Sequence, residues 1–178
     1  TFSYTEVPDS EGLLVGTGLA PILLQRTVTD QTGARTVYLF GSDGLLRRMT
    51  DPAGATTEYR GYTAARQPSE VVDGLGRVTR MTYTSRGLPL TITDALNQTT
   101  TLVYDSWGRP TSITDPLGRT TTLTYSGGDL TEITDALGQT VTLSYGAQAG
   151  WQRMLNSITN QEGRTTSFTY NPVGDLTA

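Results

Sequence analysis

The stretch that decides the fold runs from Thr93 to Ile158 and reads TDALNQTTTLVYDSWGRPTSI (93–113), TDPLGRTTTLTYSGGDLTEI (114–133) and TDALGQTVTLSYGAQAGWQRMLNSI (134–158). The three segments follow one another directly and share one template. It opens on Thr-Asp, passes through a Gly or Asn into a threonine-rich stretch, and reaches a Tyr. A period of roughly 20 to 50 residues is typical of repeat architectures, so the sequence predicts an array of small units.

The same template extends over most of the 178 residues. We take the Asp that follows the Thr as the anchor of each repeat, and the anchors lie 20 to 25 residues apart. They are Asp30, Asp51, Asp73, Asp94, Asp115 and Asp135, with Asn160 in the last position. Residues 27–178 are therefore predicted to hold about seven repeats. Residues 1–26, in which Val7, Asp9 and Gly12 fit the same phase, are predicted to be a degenerate repeat or cap. Because the pattern is cut at both ends, we expect the chain to be part of a longer protein.

Each anchor is followed, three residues later, by a position that favours a tight turn. The residues there are Gly33, Gly54, Gly76, Asn97, Gly118, Gly138 and Gly163. Gly and Asn tolerate a left-handed backbone best, so this column predicts a turn with positive φ. A second turn is predicted after the aromatic residue of the repeat, with a glycine at Gly44, Gly87, Gly108 and Gly174.

Between the two turns the residues alternate with period two, which indicates a half-buried strand. The apolar face comprises Tyr38, Tyr59, Met81, Leu102, Leu123, Leu143 and Phe168 at anchor plus eight, and Phe40, Gly61, Tyr83, Tyr104, Tyr125, Tyr145 and Tyr170 at anchor plus ten. A further apolar column, two residues before each anchor, is Val28, Met49, Val71, Ile92, Ile113, Ile133 and Ile158. The opposite face is rich in threonine. The predicted fold class is all-β, with tandem β-hairpins forming an antiparallel sheet in which each unit depends on its neighbours for stability.

Two repeats depart from the template. In the Asp51 repeat the expected aromatic position holds Gly61, with Tyr59 and Tyr62 beside it, which predicts a bulge or a shifted register. After Tyr145 the connection to the next apolar column is longer than elsewhere and carries Trp151, Arg153 and Met154. We favour ordinary packing of a lengthened hairpin there over a contact with another part of the parent chain.

Composition excludes several function classes. The thirteen basic residues are all Arg, and the chain has no His and no Cys. The usual general base, the amine nucleophile and thiolate metal ligands are therefore missing. A net charge of −4 without a basic stripe argues against nucleic-acid binding. The most apolar stretch, Leu13 to Leu24, is too short and too interrupted for membrane insertion. We predict no catalytic, cofactor-binding or metal-ligating residue and no enzyme activity.

The segment Tyr104-Asp105-Ser106-Trp107-Gly108-Arg109 resembles the motif of the Rhs, or YD, repeat family, which is written as Tyr-Asp, two variable residues and Gly-Arg. A companion Thr-Asp motif with Gly-Arg runs from Thr114 to Thr122. Looser copies stand at Tyr83 with Gly87, at Tyr170 with Gly174, at Asp73 with Arg77, and at Asn160 with Arg164. The resemblance covers most of the chain.

This resemblance implies a fold in which successive hairpins wind into a spiralling β-sheet shell or barrel. In bacterial members the shell surrounds a C-terminal toxin domain, and animal teneurins use a related barrel on the cell surface. The implied function is a non-catalytic structural module that encloses or presents a C-terminal effector. The implied partners are the rest of the parent chain and an enclosed toxin domain, and the implied location is secreted or cell-surface. The sequence shows neither the segment that ends such shells and directs self-cleavage nor a toxin domain. Exposed strand edges also predict self-association.

Three alternatives were weighed against this interpretation. Calcium binding by the anchor aspartates is disfavoured because each repeat offers one carboxylate, which is better explained as an acceptor for amides in its own turn. Glycoside hydrolysis is disfavoured because no carboxylate pair stands outside the repeat pattern. The serious alternative is a carbohydrate-binding or adhesive module, in which Tyr83, Tyr104, Tyr125, Tyr145 and Tyr170 would stack on a glycan. Exposure of those tyrosines distinguishes it from a packed wall.

Overall fold

Every regular element of the described chain is a β-strand, as the threonine-rich, alternating sequence predicts. The computed structural model describes residues 2–6, 22–148 and 151–177. Val7, Asp9 and Gly12 of the predicted N-terminal repeat lie outside the described residues. The chain divides into two units, Thr1–Thr99 and Thr100–Ala178.

The first unit is an antiparallel meander in which each strand pairs with the next one along the chain. Its strands are β1 (Phe2–Glu6), β2 (Ile22–Thr29), β3 (Arg35–Gly41), β4 (Leu46–Thr50), β5 (Thr56–Tyr62), β6 (Pro68–Val72), β7 (Val78–Tyr83) and β8 (Pro89–Thr93). Short turns join the strands from β2 onward, so each repeat is one hairpin followed by one turn to its neighbour.

The second unit repeats the same antiparallel arrangement. Its strands are β9 (Thr99–Tyr104), which begins one residue before the unit, β10 (Pro110–Thr114), β11 (Thr120–Ser126), β12 (Asp129–Thr134), β13 (Thr140–Gln148), β14 (Trp151–Thr159) and β15 (Thr165–Ser167). After β15 an isolated bridge joins Tyr170 to Leu176. The all-β hairpin fold predicted from the sequence is confirmed in both units.

The strand register brings two of the predicted apolar columns together. The residue at anchor plus eight lies opposite the residue that precedes the next anchor by two. These cross-strand pairs are Tyr38–Met49, Tyr59–Val71, Met81–Ile92, Leu102–Ile113, Leu123–Ile133 and Leu143–Ile158. Directly opposed apolar side chains contribute roughly 0.2–1 kcal/mol per pair, so the repeat carries one such pair in every hairpin.

Burial alternates along the strands, as the period-two pattern predicts, but neither unit has a large core. In β11, Leu123 and Tyr125 are half-buried, whereas Thr122 and Thr124 are exposed. In the first unit only Leu39, Val72 and Arg47 are buried among the described side chains. None of the described side chains of the second unit is fully buried. The sheet of each unit is therefore stabilised mainly between neighbouring strands.

The Asp51 repeat differs from the others in register. Four other hairpins shift register next to the aromatic position, between Leu39 and Phe40, Thr82 and Tyr83, Thr124 and Tyr125, and Ser144 and Tyr145. The β5–β6 hairpin instead keeps one register from Glu58–Val72 to Tyr62–Pro68. The bulge or shifted register predicted at Gly61 is therefore absent from the pairing of this hairpin. β5 has one additional residue before its aromatic residue, which is Tyr62 and not residue 61. The strands of this hairpin therefore pair without the register shift that the other hairpins have.

The lengthened connection after Tyr145 is a long β-hairpin formed by β13 and β14. Its strands pair as far as Gln148 and Trp151. Arg153 lies on β14 with a positive φ of 63° and donates hydrogen bonds to the carbonyl oxygen of Gly127 and, at 2.7 Å, to Oδ1 of Asp129. Arg153 thus joins the extension to the preceding hairpin of the same unit by hydrogen bonds. This contact agrees with the interpretation of the extension as a lengthened, normally packed hairpin.

Candidate functional site

The anchor aspartates are acceptors within their own turns. In the Asp115 repeat, the Gly118 amide donates to the Asp115 carbonyl oxygen at 2.9 Å, and the Asp115 amide donates to the Arg119 carbonyl oxygen at 2.9 Å. The carboxylate Oδ1 accepts from the amides of Leu117 and Arg119, both at 2.9 Å. The same pair of amide bonds recurs at Asp30, Asp51, Asp73, Asp94, Asp135 and Asn160. The interpretation of these residues as turn acceptors is confirmed.

The Gly-Arg part of the motif has a separate physical role. Arg119 Nε donates to Oδ2 of Asp115 at 2.6 Å, so Oδ1 binds the turn amides and Oδ2 binds the arginine. Arg77 and Asp73 repeat the arrangement at 2.6 Å. Arg109 and Asp105, in the Tyr-Asp segment, repeat it at 2.7 Å. An aspartate, a glycine three residues later and an arginine four residues later therefore form one closed turn. Both oxygens of the carboxylate accept hydrogen bonds in it.

These contacts favour the ionised carboxylate. Hydrogen bonds from the Arg119 side chain and from the amides of Arg119 and Leu117 lower the pKa of Asp115 below its ordinary value of 3.8. The hydrogen bond from the Arg77 side chain is the main cause of the lowered pKa of Asp73. At Asp105 partial desolvation opposes ionisation, but the amide and side chain of Arg109 outweigh it and the pKa is again lowered. Asp73, Asp105 and Asp115 are therefore charged at neutral pH.

The threonine before the anchor joins the base of the turn to the following strand. Hydroxyl groups pair at 2.8 Å between Thr93 and Thr99, at 2.9 Å between Thr114 and Thr120, and at 2.8 Å between Thr159 and Thr165. Each pair links the residue at anchor minus one with the residue at anchor plus five. The Thr-Asp dipeptide therefore supplies both a strand-to-strand hydroxyl pair and the turn acceptor.

The left-handed column predicted from the sequence is present in all seven anchor turns. The φ values are 87° at Gly33, 86° at Gly54, 76° at Gly76, 61° at Asn97, 78° at Gly118, 77° at Gly138 and 76° at Gly163. The second turns also use a left-handed residue, and at one of them Arg66, with φ of 63°, takes the place of glycine. Arg66 was not singled out from the sequence. Its side chain donates to the Asp43 carbonyl oxygen at 3.0 Å, which ties that turn to the preceding hairpin.

Three tyrosines of the predicted column, together with Tyr62, form a ladder of side-chain hydrogen bonds. The hydroxyl of Tyr83 donates to the Pro68 carbonyl oxygen at 2.7 Å, and that of Tyr125 donates to the Pro110 carbonyl oxygen at 2.9 Å. Tyr170 donates to Leu155 at 3.0 Å, and Tyr62 donates to Leu46. Each acceptor stands 15 or 16 residues earlier, in the preceding hairpin. The rings are half-buried and burial raises the pKa of Tyr83, so this face is a packing layer that links consecutive repeats.

A cluster of charged side chains in the first unit was missed from the sequence. Arg47 is 7% exposed, pairs with Asp43 at 2.5 Å, and lies over the ring of Tyr62 at 4.9 Å from its centroid. Nearby, Glu58 accepts from Arg48 at 2.6 Å and from Arg60. Periodicity gives no signal for such a cluster because it depends on side chains that adjacent strands bring together. The half-buried carboxylate of Glu58 therefore forms ion pairs with both Arg48 and Arg60.

Two further observations concern ligand and membrane chemistry. Within residues 2–6, 22–148 and 151–177, no three acidic, histidine or cysteine side chains come close enough to hold a metal ion. The described strands and turns also include no helix with the length and apolarity that crossing a membrane requires.

Comparison with known proteins places this geometry among toxin structures. No curated protein matches the sequence. A structure of the Photorhabdus luminescens Tc holotoxin pore with a mutant TccC3 is 16% identical, with a TM-score of 0.54, and the match covers 86% of this chain and 10% of that one. The crystal structure of TcdB2-TccC3-TEV is 17% identical, with a TM-score of 0.61, and the match covers 97% of this chain and 11% of that one. These likenesses show a shared fold, and the chain spans about a tenth of the length of either solved chain.

The repeat itself identifies the family. The model described as RHS Repeat matches residues 42–78, 83–120 and 104–129. The matched ranges contain the Tyr-Asp segment at Tyr104 and the closed Asp-Gly-Arg turns at Asp73 and Asp115, whose geometry is given above. The neighbouring repeats, outside those ranges, follow the same turns and register. Residues 42–78 and 83–129 of the chain are therefore RHS repeats.

Proposed function

We propose that the chain is a non-catalytic structural module, a stretch of β-sheet wall that encloses or presents a C-terminal effector or toxin domain of a longer protein. The observation that carries this proposal is the use of the motif side chains. The anchor aspartates close their own turns, and the hydroxyls of Tyr62, Tyr83, Tyr125 and Tyr170 bind the preceding hairpin. The residues that define the repeat thus serve to build sheet.

The comparisons with solved structures also support the proposal of a structural module. Of the two solved structures compared above, one is named as a Tc holotoxin pore and the other as a TcdB2-TccC3-TEV crystal structure. We propose a secreted or cell-surface location for the parent of this chain, as the family resemblance implies. We also propose that residues 27–178 are about seven wall repeats and residues 1–26 a terminal repeat or cap, and we assign no catalytic, cofactor or metal-ligating residue to either part.

Limited proteolysis of the parent protein tests the proposal. If the repeats form a wall around the C-terminal domain, a protease should digest that domain more slowly in the intact parent than in a version from which residues 27–178 are removed. Mass spectrometry of the fragments over time gives both rates. Gly118→Val, which weakens one turn of the wall, should give an intermediate rate. Equal digestion of the C-terminal domain in the intact and truncated proteins would contradict enclosure.

A further inference from the structure

The second unit contains one place where the repeat is shortened. In five other repeats the turn after the aromatic residue has five residues, as from Asp105 to Arg109, but β11 and β12 are joined by Gly127 and Gly128 alone. A cleft of about 410 Å³ lies beside this short turn. It is lined by Trp107, Arg109, Tyr125, Gly127 and Gly128. A local departure from a regular repeat is where a functional site is expected.

Trp107 presents an indole to solvent at the mouth of this cleft. Its side chain is 79% exposed, whereas its amide holds the turn by donating to Oδ1 of Asp105 at 2.9 Å. The turn therefore needs the backbone of this residue and not its ring. The Arg109 guanidinium lies 4.9 Å from the Trp107 ring centroid and 4.3 Å from that of Tyr125, so it is held between the two rings. This stack fixes the indole in place.

The charges around the cleft are paired. Arg109 bonds to Oδ2 of Asp105 at 2.7 Å, and both side chains are largely covered. Arg153, on the far side of the short turn, bonds to the Gly127 carbonyl oxygen and to Asp129. Phosphate or carboxylate ligands need unpaired positive charge. The cleft thus offers an apolar ring face beside polar, electrically neutral groups.

We propose that this cleft binds a neutral pyranose residue of a glycan, with the C–H face of the sugar on the Trp107 indole and its hydroxyls toward Arg109 and the Gly127–Gly128 backbone. A pyranose combines an apolar face with a polar rim, which is the complement of an aromatic ring bordered by hydrogen-bonding groups. This site is independent of the proposed wall function. It also differs from the tyrosine platform considered from the sequence, whose rings are half-buried and whose hydroxyls at Tyr83, Tyr125 and Tyr170 already bind backbone.

Titration of the 178-residue chain with cellotetraose, maltotetraose, chitotetraose and mannotetraose, followed by amide chemical shifts, tests the proposal. At least one of these neutral oligosaccharides should shift the amides of Trp107, Arg109, Gly127 and Gly128 at millimolar concentration. Trp107→Ala should weaken that binding about tenfold or more, and Trp107→Phe should weaken it less, because a smaller ring still stacks. Unchanged thermal melting of both variants is expected, since the indole is exposed.

A second variant fills the cleft without touching the tryptophan. A Cβ at Gly127 meets open space, and Asn tolerates its φ of 57°, so Gly127→Asn should fold and place a side chain in the cleft. Gly138→Asn, at an anchor turn with φ of 77° and equal space, is the matched control. Binding should fall in Gly127→Asn and persist in Gly138→Asn. The proposal is overturned if no oligosaccharide shifts the cleft amides, if binding survives Trp107→Ala, or if that change abolishes only self-association, which would make Trp107 a protein contact.

Discussion

A single backbone conformation recurs at the same position of every repeat, and its energetic cost depends on the residue that adopts it. Gly118 has φ of 78°, and a Cβ built there has no neighbouring atom within 4 Å. Substitution therefore causes backbone strain without a steric clash. Gly118→Val places a β-branched residue in the left-handed region and should lower the free energy of unfolding by about 1–3 kcal/mol, as measured by urea denaturation.

Gly118→Asn is the matched control for that change. Asn97 already occupies the equivalent position of the preceding repeat with φ of 61°, so the Asn variant should lose clearly less stability than the Val variant. Equal losses would mean that the glycine is needed for space, and the left-handed explanation of the column would be wrong.

The lowered pKa values of Asp73 and Asp115 give stability a definite pH dependence. A carboxyl whose folded pKa lies below its ordinary value of 3.8 stabilises the folded state fully above that value, and the contribution is lost as the pH falls through the folded pKa. Melting temperature should therefore fall as the pH drops below about 4. The double variant Asp73→Asn/Asp115→Asn keeps the Oδ1 acceptors but cannot titrate, so its melting temperature should fall less steeply over that range. An unchanged slope would show that other carboxyls govern acid unfolding.

At the scale of the strand pair, the tyrosine hydroxyls connect one hairpin to the hairpin before it. Tyr125→Phe removes the donor to the Pro110 carbonyl oxygen and keeps the ring against Arg109. Loss of one neutral hydrogen bond at a half-buried site should cost about 0.5–1.5 kcal/mol in urea denaturation. Tyr83→Phe, which removes the 2.7 Å bond to Pro68, should cost a similar amount in the first unit.

Tyr38→Phe is the comparison for these two changes. Tyr38 lies in the anchor-plus-eight column, opposite Met49, and stands outside the hydroxyl ladder. Its substitution should leave stability nearly unchanged. Equal losses of stability in Tyr38→Phe and Tyr125→Phe would show that removing any tyrosine hydroxyl has this effect. The hydrogen bonds of the ladder would then have no special role.

Sequence periodicity predicted the features that lie within one repeat, but not the side-chain contacts between adjacent hairpins. The turn column, the apolar columns and the aspartate acceptors depend on residues close in sequence, so spacing alone located Asp115, Gly118 and Tyr125. The pairing of Arg47 with Asp43 under Tyr62, and the tie from Arg66 to the preceding turn, depend on which side chains adjacent hairpins bring together. Spacing carries no information about those contacts. The Trp107 cleft was not predicted either: the short spacing from Asp115 to Asp135 can be read from the sequence, but it does not show that Trp107, Arg109 and Tyr125 lie together.

At the scale of the whole molecule, the scarcity of buried side chains makes stability a property of neighbouring repeats. Among the residues whose burial the structure describes, only Leu39, Gly41, Arg47 and Val72 are buried, and all four belong to the first unit. In repeat architectures, stability is approximately the sum of each unit and its contacts with adjacent units. A strand edge that lacks a neighbour therefore forgoes a large share of the available stabilisation and remains open to pairing.

The edge of β15 is the clearest place for such pairing. Thr165, Thr166 and Ser167 are exposed, and among the described strands β15 pairs only with β14. The Phe168 amide donates to the Asn156 carbonyl oxygen, so by strand alternation the Ser167 amide points away from β14. Sedimentation velocity of the 178-residue chain should show association that grows with concentration. Ser167→Pro removes the outward donor and should weaken it, whereas Ser167→Ala keeps the donor and should not. A chain that stays monomeric at every concentration, or association that is equal in the Pro and Ala variants, would exclude β15 as the pairing edge.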